Sequence, residues 1–236
     1  SVKQNPSATN KVDIVFVIDS YRVLGGVNTV DLGAFQLAVQ KISNNKNIDV
    51  RYSLIQINRE AVQYKNGDSN WFEEKNSFLN QLSSCFSSYH TDFLYRANTK
   101  ETIDSIMKAY QLDWREDANR VVVFRPYFLE GYLYLASLNK NTDTDINTDE
   151  NMTDDDVNID EIAHLFVQRE IAVCSVVAER FPGFSEKTGG ACIDYFEHYH
   201  KNEYIDDDEV YQQGFVNELY QFILSKLNKK TTDTVF

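Results

Sequence analysis

Four sets of side chains in this sequence have types and spacings that chemistry can use. The first is Asp19, which closes the apolar run Val12–Ile18 (VDIVFVI). That run is broken only by Asp13, so it reads as a buried, parallel strand. A carboxylate at the carboxyl end of such a strand stands where open α/β sheets place their ligands. The second set is the alternation Asp143, Asp145, Asn147, Asp149, with Asp154 further on. Oxygen side chains at every second position can turn onto one calcium ion. Thr148 stands where a calcium loop has its turn glycine, and Asp154 replaces the bidentate glutamate. Weak calcium binding and a plain solvated acidic loop are therefore both open.

The third set is His198 and His200 with Glu197 and Glu203. These residues could hold a transition metal, but the spacing on a strand end has low specificity, and an ordinary surface histidine pair is the expectation. The fourth is the cysteines, Cys85, Cys174 and Cys192. Cys174 and Cys192 fall on segments expected to be neighbouring strands, so a bridge is conceivable, and free thiols are the alternative. Classes of chemistry are also excluded. Gly25-Gly26 lacks the third glycine of a dinucleotide fingerprint, and there is no P-loop and no Gly-x-Ser-x-Gly elbow. Nothing near Cys85 and His90 would orient an imidazole. The expectation is a protein without enzymatic activity or resident cofactor.

These residues must be positioned by regular elements, and the pattern supplies them. Val30–Ser43 repeats apolar residues at helical spacing. Asp49–Gln63 reads as an antiparallel hairpin, and Asn66-Gly67-Asp68 as a closing turn. Helices are expected from Trp71 to about Ser84 and from Thr99, an N-cap, to Tyr110. Asn119–Phe124 (NRVVVF) is a central strand, Glu161–Arg169 a short helix, Ile171–Val177 and Ala191–Phe196 further parallel strands, and Val210–Leu227 a closing amphipathic helix. The order predicts an α/β fold: a doubly wound, mostly parallel open sheet with one antiparallel strand and helices on both faces.

The boundaries that follow are a flexible segment over 1–10, one domain over 11–228 carrying an Asp/Asn/Thr-rich loop at 139–160, and a tail over 229–236. The 236 residues suit one large domain rather than two. A net charge of −13 disfavours nucleic acid and anionic membrane as partners. No apolar run approaches the roughly 20 residues of a membrane span, and the polar start SVKQNPSATN shows no signal peptide. Asn151-Met152-Thr153 is a glycosylation acceptor, which places Asn151 on a surface loop.

In this order and spacing, the blocks VDIVFVIDS, VRYSLIQIN, RVVVF and IAVCSVV resemble a von Willebrand factor A domain from about Lys11 to Leu227. The resemblance implies a metal-ion-dependent adhesion site in three loops at the carboxyl end of the sheet. Its first loop, Asp-x-Ser-x-Ser, is here Asp19-Ser20-Tyr21-Arg22-Val23, which keeps the aspartate but not the hydroxyls. Where the third loop would read Thr-Asp-Gly, this chain has Arg125-Pro126-Tyr127. Matching Asn98-Thr99 to the second loop puts Ala97 at the ligand position; another register would use Thr91. A divalent ion needs several oxygens, so the expected site holds no metal, and Arg22 or Arg125 is expected to pair with Asp19 in its place. The family's character then implies an extracellular adhesion or matrix module that binds protein at matrix or cell surfaces. Asp19, Tyr21, Arg22 and Arg125 would form its contact surface. Oligomeric state has no signature in the sequence.

Overall fold

A computed structural model describes residues 10–19, 27–87, 99–126, 158–176, 183–193 and 208–232. Its elements in chain order are β1 (Asn10–Ile18), α1 (Val27–Ser43), β2 (Ile48–Gln56), β3 (Val62–Gln63), α2 (Lys75–Ser87), α3 (Thr99–Tyr110) and β4 (Asn119–Arg125). There follow α4 (Ile159–Gln168), β5 (Ile171–Val176), the single turn α5 (Phe184–Lys187), β6 (Ala191–Ile193) and α6 (Asp208–Thr232). The strands form one sheet in the order β3-β2-β1-β4-β5-β6. Every pairing is parallel except that of β3 with β2. The expected doubly wound sheet with one antiparallel strand is what the chain forms.

The unalternating apolar runs explain which strands are central. Val12 and Ile14 through Ile18 of β1, and Val121 through Phe124 of β4, are buried because both sheet faces are covered. On one face α1, α2 and α6 pack Phe35, Phe78, Phe215 and Leu219 over Ile14, Phe16 and Val123. On the other, α3 and α4 bring Ile106 and Phe166 against Val15, Val17 and Val122, with Phe184 of α5 beside them. Phe78 sits at the middle of an aromatic cluster, its ring 4.8 Å from Tyr52, 5.4 Å from Phe16 and 5.8 Å from Phe72. Where the chain enters β6 it passes so close to β5 that a Cβ on Gly190 would lie 1.7 Å from the Val173 carbonyl oxygen.

Several expectations need correction. Trp71 and Phe72 precede the second helix rather than open it. Phe72 exchanges backbone hydrogen bonds with Tyr52, at 2.9 and 2.7 Å. The two rings go to opposite sides of the sheet, Phe72 into the α1 side and Trp71 into the α3 side, which is strand alternation, not helical spacing. The first helix starts at Val27 rather than Val30, and the last spans Asp208–Thr232 rather than Val210–Leu227. Asn158 caps α4 by accepting from the Glu161 backbone N–H at 3.1 Å, a cap the sequence reading missed. Of Ala191–Phe196, the described strand is Ala191–Ile193.

Asp13, the one polar residue within the first strand's run, is fully buried. Its carboxylate accepts from Arg51 Nε and Nη2 at 2.9 and 2.8 Å, and from Arg115 Nε and backbone N–H, both at 2.8 Å. Arg115 reaches on to the Asp49 carboxylate at 2.9 Å, and Arg51 lies 4.0 Å over the Trp71 ring. A buried charge is tolerable only when paired and hydrogen-bonded in this way. The network ties β1, β2 and the segment before β4 together at the amino end of the sheet, opposite the end where Asp19 stands.

Candidate functional site at the carboxyl end of the sheet

Parallel pairing aligns Ile18 of β1 with Arg125 of β4, so the next residue, Asp19, emerges beside Arg125. The two residues clamp each other through the backbone. The Asp19 N–H donates to the Arg125 carbonyl at 2.9 Å, and Arg125 Nη1 donates to the Asp19 carbonyl at 2.5 Å. Both residues are 4% exposed. Arg125 therefore contacts Asp19 from guanidinium to main-chain carbonyl, which is not the carboxylate pairing that the sequence suggested. On the other side of β1, the Ile57 N–H donates to the Ile18 carbonyl at 2.8 Å. Gln56, at the end of β2, is buried and accepts from the Tyr64 hydroxyl at 3.0 Å. Thr99 begins α3 and is buried, as is Thr102 one turn on.

The donor set near Asp19 among the described residues does not suit a divalent cation. Such an ion wants a shell of oxygens, and here β4 ends on the buried guanidinium of Arg125, with Pro126 next in the chain. Among the described residues, no group of three or more His, Cys, Asp or Glu side chains is placed to hold a metal. The arrangement places a buried guanidinium at the carboxyl end of β4.

The remaining candidates fall as follows. Tyr21 and Arg22 lie outside the described residues, as do Asp143, Asp145, Asn147, Asp149, Asn151, Asp154, His198 and His200. The bridge considered between Cys174 and Cys192 is absent: both are free thiols. The register gives the reason. Cys192 is paired with Ser175 and Cys174 with Ala191, so the two sulfurs leave the sheet on opposite faces. Cys174 and Cys85 are buried, whereas Cys192 is exposed. Burial, reinforced by Cys192 and Glu218, pushes the Cys174 thiol well above its ordinary range.

A sheet ordered 3-2-1-4-5-6 with its crevice at the carboxyl ends of β1 and β4 is the doubly wound arrangement. The antiparallel β3 at its edge completes the pattern. The fold is of the von Willebrand factor A type. No family model matches the chain, and no curated protein matches it. Among solved structures it is similar to proximal thread matrix protein 1 from the mussel byssus, described with a zinc-occupied MIDAS motif. The identity there is 9% and the TM-score 0.48, over 88% of this chain and 46% of that one. It is also similar to a conserved hypothetical protein, BatB, from Bacteroides thetaiotaomicron, at 11% identity and a TM-score of 0.48 over 93% and 99% of the two chains. An aerotolerance-related membrane protein from Bacteroides fragilis gives 10% and 0.45 over the same shares. The chain spans less than half the length of the mussel protein. Similarity this remote carries no functional argument. No helix among the described residues is long and apolar enough to cross a membrane.

Proposed function

We propose that this chain is a non-enzymatic protein-interaction module of the adhesion or matrix type, acting outside the cell and binding its partner without a metal ion. The observation that carries the reading is the clamp between Arg125 and Asp19 at the carboxyl ends of β4 and β1. A guanidinium there provides in a fixed form the positive charge that a cation would otherwise bring. The partner would therefore offer an acidic side chain, with Tyr21 and Arg22 completing the contact from the segment after Asp19.

The test is capture of the partner from the native source with and without chelator, using the wild-type chain and Arg22→Glu. Capture that survives chelator and fails with Arg22→Glu supports the reading. Capture abolished by chelator overturns its metal-independent part, and equal capture by Arg22→Glu overturns the assigned surface.

A further inference from the structure

The sequence has a single Asn-Gly step, Asn66-Gly67, and the fold places it at an exposed hairpin tip after β3. Asn66 and Ser69 exchange backbone hydrogen bonds at 2.8 and 3.1 Å, so Gly67 and Asp68 form a two-residue loop. Gly67 has a φ of 62°, and Asp68 does not share the positive value. That is the hairpin turn that calls for glycine at its first central position. The tip is anchored on both sides. The Tyr64 N–H donates to the Leu54 carbonyl at 3.0 Å, and Ser53 Oγ donates to the Asn70 carbonyl at 2.7 Å.

Two groups at this tip have chemistry that the turn does not use. Neither the Gly67 N–H nor the Asn66 carboxamide has a hydrogen-bond partner among the described residues. Both residues are exposed. Glycine has no Cβ to screen its nitrogen, and the space beside Gly67 is open: an added Cβ would meet nothing within 4 Å. An unshielded main-chain nitrogen therefore follows directly on an unrestrained carboxamide, the arrangement that closes an imide ring.

We propose that Asn66 deamidates in the folded protein through a succinimide formed with Gly67. The Gly67 nitrogen gives up its proton and attacks Asn66 Cγ. The Cγ–Nδ2 bond breaks, and ammonia leaves with that proton. Water then opens the ring. Cleavage between the nitrogen and Cγ gives aspartate, and cleavage between the nitrogen and the main-chain carbonyl carbon gives isoaspartate. One water enters, one ammonia leaves, and nothing is oxidised or reduced. Either product adds a carboxylate beside Asp68 to a chain already at −13. Isoaspartate also puts a methylene into the main chain, so both bonds to Ser69 cannot be kept. The anchors at Tyr64 and Asn70 lie outside the altered bond, which confines the change to the tip. The modification is independent of the contact proposed at the carboxyl end of the sheet.

The test holds the folded chain at mildly alkaline pH beside the same chain unfolded in urea. Samples are digested with pepsin in acid, where ring closure is slow. Tandem mass spectrometry locates the mass gain of NH2 replaced by OH, and methylation by an isoaspartyl methyltransferase detects isoaspartate. Asn66 is expected to convert in the folded chain at a rate within about tenfold of the unfolded one, so that the fold adds no more than about 1.4 kcal/mol to the barrier. Both products should form. Asn66→Gln, whose longer side chain closes a less favourable ring, should lose the conversion while circular dichroism shows the fold retained. A folded-chain rate below that range overturns the proposal, because the turn then protects Asn66. Gain mainly at another asparagine, aspartate without isoaspartate, or an undiminished gain in Asn66→Gln also overturns it.

Discussion

Replacing Asp13 by alanine should destabilise the fold more than any other single substitution at the amino end of the sheet. The change removes a fully buried carboxylate that accepts four hydrogen bonds from Arg51 and Arg115. It leaves both guanidiniums facing a cavity and the Arg115 backbone N–H without its acceptor. Breaking a buried pair in this way costs about 3–5 kcal/mol. The arginine side chains are 13% and 22% exposed, so water recovers part of their solvation. The low end, about 3 kcal/mol, is therefore the expected loss. For a chain of this length each kcal/mol lowers Tm by roughly 2–4 °C, which gives a fall of roughly 6–12 °C in a thermal melt followed by far-ultraviolet circular dichroism. Adding Arg115→Met should cost much less in the Asp13→Ala background than alone, because the same interaction has already gone. A loss below about 1 kcal/mol, or strict additivity of the two changes, would refute the reasoning.

Three further outcomes are expected. Phe78→Ala opens a cavity among Phe16, Tyr52 and Phe72. It should cost about 3–5 kcal/mol in urea unfolding, and a loss under about 1.5 kcal/mol would show that the aromatic cluster collapses to fill the space. Burial raises the Cys174 thiol and the Tyr52 phenol above their ordinary values, the latter despite its hydrogen bond with Ser43. The folded state thus holds protons that the unfolded chain releases. Stability from the two groups is complete below about pH 8.5 and falls as pH rises past the unfolded thiol and then, near about pH 10, the unfolded phenol. Urea midpoints flat from neutrality to pH 11 would contradict this. Under native conditions one thiol, Cys192, should react quickly with a disulfide reagent while Cys85 and Cys174 stay protected; three fast thiols would mean that the buried pair is accessible.

Much of the fold was legible because its signals are local and redundant. The largely apolar runs of β1, β4 and β5 announce strands covered on both faces, and the helical spacing of apolar residues in α3 and α6 announces helices on those faces. Trp71-Phe72 misled because two adjacent aromatics fit either period, and only the bridge to Tyr52 decides between them. Asp13 was visible as an anomaly, but its partner Arg115 lies 102 positions away, a separation no local pattern spans. At the candidate site, the contact between Asp19 and Arg125 was legible as a charge standing where a ligand would be expected. That it runs through the main-chain carbonyl follows from the register of β1 and β4, which residue type does not encode.

The central claim is that Arg125, clamped to Asp19, stands in place of a metal ion in a von Willebrand factor A-type fold. Calorimetric titration of the wild-type chain and of Asp19→Asn with magnesium and with manganese tests it most directly. The account predicts that the wild-type chain gives no saturable heat that Asp19→Asn removes, and no metal-dependent rise in Tm that depends on Asp19. A stoichiometric binding isotherm present in the wild-type chain and lost in Asp19→Asn would contradict it.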